Sequence, residues 1–141
     1  MGVFVAESVL RIGLVGLGSV CASVHFPGFS LIPGVEVAAL CDADGQILDR
    51  RKAEWGIDAG FTDYNSFLRE SGVEAVAIAT PNHLHKELIL AALAADCHVL
   101  CEKPLGMDHD ETSVVYEAAR ASGLRHMTAF TYRFVPGMNY L

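Results

Sequence analysis

Basic residues are scarce in this sequence. Lysine and arginine together number 10 against 17 aspartate and glutamate residues, which gives a formal net charge of −7 at pH 7. An acidic domain without a basic patch is not the profile of a nucleic-acid-binding protein, because such proteins neutralise phosphates with clustered Lys and Arg. The deficit does not exclude an anionic cofactor, since backbone amides at the start of a helix can bind phosphate without a cationic side chain.

Cysteine is also sparse, and no CxxC pair occurs among Cys21, Cys41, Cys97 and Cys101. We therefore expect reduced, mostly buried thiols in a cytoplasmic protein. Cys97, His98 and Cys101 could be imagined as metal ligands. However, Cys97 and Cys101 fall on one face of a predicted strand and His98 falls on the other, so we favour core packing and predict no metal site.

Targeting and membrane-spanning segments are missing as well. The N-terminus has no basic region ahead of an apolar stretch, so no signal peptide is predicted. Residues 12–35 carry no Asp, Glu, Lys or Arg, but they contain five glycines, two prolines, three serines and His25. Such a segment is too broken and too polar to cross a bilayer as a helix, and we expect no membrane association.

Short apolar runs alternate with amphipathic segments along the chain. We predict a first helix from Ser19 that Pro27 and Gly28 disturb or end, a helix capped by Asp44, and a short helix over 64–70. Asn82 and Asp108 are predicted to cap two later helices, with Glu111 as the capping-box partner of Asp108. Strands are predicted at 10–15, 35–41, 59–62, 73–79, 98–101 and 125–130.

The predicted strand over 73–79 is apolar at nearly every position, which is typical of a parallel sheet covered by helices on both faces. Six strands alternating with helices predict an α/β, doubly wound, mostly parallel sheet of order 3-2-1-4-5-6, the Rossmann fold. We assign residues 1–130 to this domain. Residues 131–141 include several aromatic residues, Pro136 and Gly137, and are predicted to begin a new structural unit.

A glycine-rich turn follows the first predicted strand. Gly16 permits a tight turn, and Gly18 lets the backbone approach a pyrophosphate with no Cβ in the way. The amides at Ser19 and Val20 then open the helix, where the dipole favours phosphate. The third glycine of the usual pattern is replaced by Cys21, which is small enough to pack there. The alternative is that the glycines serve only a plain turn.

Asp42 ends the second predicted strand, 24 residues after Gly18. A carboxylate there accepts hydrogen bonds from the adenosine ribose hydroxyls and repels a 2′-phosphate, and no Arg or Lys occurs in the next seven residues. The spacing therefore predicts NAD as the cofactor, with NADP less favoured. The alternative is an Asp that only caps the following loop.

Two further motifs follow the fourth and fifth predicted strands: TPNHLH at residues 80–85, and CEKP at residues 101–104. Ligands of open α/β sheets bind at the carboxyl ends of the strands, near the switch in strand order. Both motifs are therefore predicted to face the nicotinamide half of the cofactor.

Taken together, these motifs resemble the Gfo/Idh/MocA oxidoreductases, and the resemblance extends over essentially the whole chain. The residues on which the resemblance rests are Gly16-Leu17-Gly18, Cys41-Asp42, the run 80–85, Glu102-Lys103-Pro104 and Tyr132-Arg133-Phe134. It implies an NAD(P)-dependent dehydrogenase or reductase acting on a hydroxyl or carbonyl compound such as a sugar or polyol. It also implies homo-oligomers, and a C-terminal domain, for substrate binding and oligomerisation, that residues 131–141 begin.

The resemblance also assigns site residues. Lys103 is implied to be catalytic and to lie near the nicotinamide, where a cation stabilises developing alkoxide charge; otherwise it is a solvent lysine. Thr80, Asn82, His85 and Glu102 are implied to line the cofactor site. Asn82 could instead be only a helix cap, and His85 could simply bond its own turn. His25 resembles a family histidine, or it is a packed helix residue.

Two other functions fit parts of the pattern. A non-catalytic dinucleotide sensor would use the same turn, but it has less need of Lys103. An adenosylmethionine-dependent methyltransferase has a similar glycine-rich turn, but it gives Glu102-Lys103-Pro104 no role. In the family the catalytic acid or base lies in the second domain, so we expect the 141 residues alone to be inactive.

Overall fold

The computed structural model describes residues 9–140, apart from the side chains of the last two of these residues. Its centre is a six-stranded sheet of order β3-β2-β1-β4-β5-β6 in which every neighbouring pair is parallel. This confirms the predicted fold class and strand order. The strands are β1 Leu10–Val15, β2 Val35–Cys41, β3 Gly60–Phe61, β4 Ala75–Ile78, β5 His98–Cys101 and β6 His126–Thr128.

The strands β3, β4 and β6 are shorter than predicted, because strand residues at the ends leave the regular ladder. They still bond to it: Glu74 donates its N–H to the Arg11 carbonyl, and Ala79 donates to the Val15 carbonyl. The helices are α1 Phe26–Ser30, α2 Gly45–Trp55, α3 Tyr64–Glu70, α4 His85–Ala94 and α5 His109–Ser122. Short 3-10 turns cover Asn82–Leu84, Thr131–Phe134 and Pro136–Tyr140.

The first helical segment accommodates Pro27 instead of ending there. A π-helical turn, Cys21–His25, runs directly into α1, and the Phe26 N–H bonds to the Cys21 carbonyl. In a regular α-helix the Pro27 ring would collide with the carbonyl of Ser23. The π turn supplies the predicted disturbance, and the helix continues to Ser30.

Helix capping follows the sequence at α2 and α5. The Asp44 carboxylate accepts the N–H groups of Gln46 and Ile47, and the Asp108 carboxylate accepts the Glu111 N–H at 2.9 Å. The Glu111 carboxylate accepts the Met107 N–H at 3.0 Å. In a regular capping box it would accept the N–H of Asp108, one residue later.

The predicted cap of α4 is wrong. Asn82 lies inside a 3-10 turn whose preceding residue is Pro81, and within the described chain it makes no side-chain capping bond. The helix α4 begins only at His85. Pro81 cannot donate an N–H and holds an extended ψ, so the chain makes a tighter turn before α4 starts.

Apolar side chains pack on both faces of the sheet, as the continuous run in β4 predicts. Ala75 and Ala77 face the layer of α1 and α2, and Val76 and Ile78 face the layer of α3, α4 and α5. The wholly buried ring of Phe67 occupies the space above Gly13, where an added Cβ would collide with the ring. Glycine at position 13 therefore lets α3 approach β1 closely.

All four cysteines are free and buried, as predicted. No helix in the part of the chain that the structure describes has both the length and the apolar character needed to cross a membrane.

Candidate functional site

The carboxyl ends of four strands meet at one edge of the sheet. The Gly16 N–H donates to the Cys41 carbonyl at 2.9 Å, which ties the end of β1 to that of β2. The Glu102 N–H donates to the Ile78 carbonyl at 2.9 Å, which ties the end of β5 to that of β4. Because β1 lies beside both β2 and β4, this edge contains the switch in strand order where open α/β sheets bind ligands.

The glycine-rich turn combines one buried glycine with one open glycine. Gly16 has φ +81°, and an added Cβ would lie 2.8 Å from the carbonyl of Ala79, so the fold itself requires glycine. Gly18 is exposed, and apart from Gly18 itself and its two chain neighbours no described residue comes within 4 Å of the position of its Cβ. Ser19 and Val20 are exposed beside it. The turn is a cradle that is open to a ligand.

Cys21 fills the third position of the turn as a packing residue. Its side chain is buried in the same cluster as Leu17 and Leu40. Burial raises the pKa of the Cys21 thiol to about 12, so the group is neutral at physiological pH. The small thiol therefore serves the close packing that a third glycine serves elsewhere.

Asp42 lies directly beside the turn. Its Oδ2 accepts the Leu17 N–H at 2.7 Å and its Oδ1 accepts the Asp44 N–H at 2.9 Å. The second bond is the loop cap considered from the sequence, and the first fixes the glycine-rich turn. A carboxylate has about four acceptor positions, so two bonds leave capacity for ribose hydroxyls.

Arg51 is a site residue that the sequence analysis missed. Its Nε donates to the Leu17 carbonyl at 3.2 Å, and the Leu17 N–H donates to Asp42. Both backbone polar groups of Leu17 are therefore bound by side chains. The guanidinium also pairs with Glu54 and lies over the ring of Trp55 at 5.3 Å. A signal was present, because Arg51 follows buried Leu48 by three residues and shares its helix face.

Beyond β4 and β5, the structure gives the predicted residues different environments. Lys103 and Asn82 are exposed, and Thr80 is half-buried with a buried hydroxyl oxygen. The Glu102 carboxylate lies 3.0 Å from His25 Nε2, with both side chains largely buried. His25 thus joins the first helical segment to the end of β5. It is a packed helix residue, as one of the two alternatives predicted, and it also contacts Glu102, a predicted site residue.

His85 lies beneath this edge of the sheet with no exposed surface. Its Nδ1 lies 2.6 Å from the Pro104 carbonyl oxygen, and its Nε2 lies 3.0 Å from the Thr80 carbonyl oxygen. The motif at 80–85 and the motif at 101–104 are therefore joined through one imidazole. The peptide bond between Lys103 and Pro104 is cis.

Comparisons with known proteins support the Rossmann fold of the chain. The sequence profile of a family described as "Oxidoreductase family, NAD-binding Rossmann fold" matches residues 10–130. Levoglucosan dehydrogenase of Pseudarthrobacter phenanthrenivorans is 30% identical over 137 residues, which cover 92% of this chain and 35% of that protein. D-xylose 1-dehydrogenase (NADP(+)) 2 of Haloferax volcanii is 38% identical over 112 residues, which cover 76% of this chain and 34% of that protein.

A solved structure is similar over almost the whole chain. It is scyllo-inositol dehydrogenase from Lactobacillus casei with bound cofactor NAD(H) and scyllo-inositol, at a TM-score of 0.87 and 28% identity. The match covers 94% of this chain and 39% of that one. The chain thus spans little more than a third of the length of the relatives it matches.

Proposed function

Because the chain belongs to the Gfo/Idh/MocA oxidoreductases and has their NAD-binding Rossmann fold, we propose that it is the cofactor-binding part of a dehydrogenase. The complete protein would transfer a hydride between nicotinamide and a hydroxyl or carbonyl compound such as a sugar or polyol. The observation that carries this proposal is the open space at Gly18. Nothing in the described fold requires glycine there, whereas a closely approaching pyrophosphate does.

The residues at the sheet edge divide the cofactor between them. Gly16, Gly18, Ser19 and Val20 hold the pyrophosphate through backbone amides and the helix dipole. Asp42 holds the adenosine ribose. On the other side of the switch point, Thr80, Asn82, Glu102 and Lys103 form the nicotinamide half. His85, expected from the resemblance to line it, is wholly buried and lies behind these residues without direct contact to a ligand. When bound, the nicotinamide gives or takes the hydride.

Lys103 is the catalytic residue of this proposal. It follows β5 at the ligand-binding edge, and its side chain extends into solvent. An ammonium group is a compact point charge that can stabilise the negative charge developing on a substrate oxygen and can pass on a proton.

The remaining expectations concern the complete protein. We propose that residues 1–130 form the dinucleotide-binding domain and that residues 131–141 begin a C-terminal domain for substrate and subunit contacts, which makes the protein a homo-oligomer. The exposed aromatic rings of Tyr132 and Phe134, next to the exposed ring of Phe130, support a packing partner for this segment. The buried, free cysteines support a cytoplasmic location, and the net charge of −7 argues against nucleic acid as a partner.

The cofactor preference is testable by calorimetric titration of this chain with NADH and NADPH. We expect NADH to bind more tightly, because the Asp42 carboxylate bonds to a ribose hydroxyl and repels a 2′-phosphate. Replacement Asp42→Ala should weaken NADH binding by about 1.5–3 kcal/mol. The matched variant Asp42→Asn keeps an acceptor for the Leu17 N–H and removes only the charge, so it should narrow the gap between the two cofactors. Equal affinities in the unchanged chain would contradict the assignment.

The role of Lys103 is testable in the complete protein with its substrate. The change Lys103→Ala should lower kcat by about 10²–10³, the usual cost of losing one oxyanion-stabilising donor. The NADH dissociation constant should change far less, because the contacts at Gly18 and Asp42 are untouched. The variant Lys103→Arg should restore activity only in part, since a planar fork does not replace a compact ammonium. An unchanged kcat with lost cofactor binding would make Lys103 a binding residue and favour a dinucleotide sensor.

A further inference from the structure

His85 lies where it can fix the backbone next to Lys103 without contacting a ligand. The imidazole has no exposed surface, so it cannot contact a cofactor or substrate directly. Its two nitrogens lie against the carbonyl oxygens of Pro104 and Thr80. These two oxygens belong to the loops after β5 and β4, the same loops that carry the proposed nicotinamide half of the site.

The chemistry of the two contacts gives them different weights. A carbonyl oxygen only accepts hydrogen bonds, so each imidazole nitrogen can bond to its carbonyl only when it carries a proton. The contact from Nδ1 to the Pro104 oxygen is the shorter, at 2.6 Å against 3.0 Å from Nε2 to the Thr80 oxygen. A proton on Nδ1 therefore makes the stronger bond and holds the Pro104 carbonyl.

Lys103 depends on its backbone for its position. Among residues 9–140, no hydrogen bond or ion pair fixes its ammonium group, and the side chain is exposed. The residue before it is anchored, because the Glu102 N–H bonds to the Ile78 carbonyl and the Glu102 carboxylate meets His25. The residue after it is anchored by His85. The lysine is therefore the free apex of a segment that is fixed on both sides.

We propose that His85 is a positioning residue for Lys103 and acts through the hydrogen bond from Nδ1 to the Pro104 carbonyl oxygen. This inference rests on the catalytic role proposed for Lys103. It gives His85 a task in turnover that is separate from cofactor binding.

Two variants of His85 separate the two contacts in the complete protein. The amide nitrogen of asparagine is as many bonds from Cα as Nδ1 of histidine, and that of glutamine is as many bonds as Nε2. His85→Asn therefore keeps a donor for Pro104, and His85→Gln keeps one only for Thr80. We expect His85→Gln to lower kcat by about tenfold or more and His85→Asn to lower it by only about threefold, since misplacing a catalytic group by about 1 Å can cost up to about 10²-fold. The Michaelis constant for NAD should change little in either variant. His83, which is exposed two residues earlier, provides the control variant His83→Asn.

The change His85→Gln in a Lys103→Ala background tests whether His85 acts through the lysine. If it does, His85→Gln should cost no further activity there, because the group that it positions is gone. An equal loss in both backgrounds would overturn the proposal. A Lys103→Ala protein with full activity would count against the catalytic role of Lys103 itself, which is a separate failure.

Amide hydrogen exchange provides a measurement that needs no turnover. In His85→Gln we expect faster exchange confined to residues 102–106, with the strands β1 and β4 protected as in the unchanged protein. Unchanged exchange at 102–106, or faster exchange throughout the sheet, would overturn the positioning role. His85→Asn, with its Pro104 bond retained, should keep the slower exchange even if His85→Gln folds poorly.

Discussion

Gly16 and Gly18 are separated by a single residue, but their surroundings differ. Gly16 has a left-handed backbone conformation, and the Ala79 carbonyl occupies the space of its missing side chain. Gly18 has neither constraint within the described fold. The requirement at position 16 is therefore structural, and at position 18 we propose that it comes from the pyrophosphate.

This difference predicts opposite outcomes for two alanine variants. Gly16→Ala should lower the free energy of unfolding by about 1–3 kcal/mol or more, because a strained backbone and a contact at 2.8 Å are imposed together. Gly18→Ala should leave that free energy almost unchanged and weaken NADH binding about tenfold or more, since its Cβ would stand in the way of the pyrophosphate. Urea unfolding and calorimetric titration of both variants measure the two effects. If Gly18→Ala bound NADH normally, the turn would not be the pyrophosphate site.

At the scale of elements, an ion pair joins α4 to the start of α5. Lys86 Nζ lies 2.9 Å from Glu111 Oε1, and the other oxygen of Glu111 accepts the Met107 N–H. The bond to Lys86 and then the Met107 N–H hold the pKa of Glu111 below its ordinary value of 4.5. The bond to Glu111 holds the pKa of Lys86 above its ordinary value of 10.5.

The direction of these pKa shifts fixes the pH dependence. The contribution of Glu111 to stability is complete above pH 4.5 and is lost as the pH falls through its lowered pKa in the folded protein. The contribution of Lys86 is complete below pH 10.5 and is lost at higher pH. Glu111→Gln should therefore be less stable than the unchanged protein at neutral pH, and the difference should shrink below pH 4.5.

Urea unfolding over this pH range tests the prediction. Glu117→Gln is the matched control, because Glu117 lies on the same helix and pairs with Arg120 on an exposed surface. Exposed pairs contribute little, so this variant should follow the unchanged protein at every pH. A constant gap between Glu111→Gln and the unchanged protein would mean that the charge of Glu111 does not stabilise the fold.

The elements themselves were largely predictable from local patterns. The apolar run of β4, the Asp44 and Asp108 caps and the glycines after α2 and α5 each signal an element within a few residues of sequence. Asn82 is the instructive error. Its residue type suits a helix cap, but Pro81 precedes it with an extended ψ, and the helix starts three residues later at His85.

For the whole molecule, the parallel sheet brings distant loops to one edge. The carboxyl ends of parallel strands necessarily lie together, so the predicted order alone placed the turn at 16–18, Asp42 and the loops after β4 and β5 on the same side. The open turn and the exposed Lys103 lie on opposite sides of the switch point. This arrangement suits an extended ligand with phosphates in its middle.

The sequence by itself determined the strands, the glycine-rich turn and the residue types at each strand end, because periodicity and turn chemistry are local. The alternation of strands with helices also predicted the strand order. Only the tertiary structure decided which of these side chains meet. His25 bonds to Glu102 across 77 residues, Arg51 to Leu17 across 34, and His85 to Pro104 across 19. Such contacts depend on strand register and on how each helix lies against the sheet. A shift of about one residue in strand register, or a comparable shift of a helix along the sheet, would separate these pairs. No local pattern in the sequence predicts these contacts.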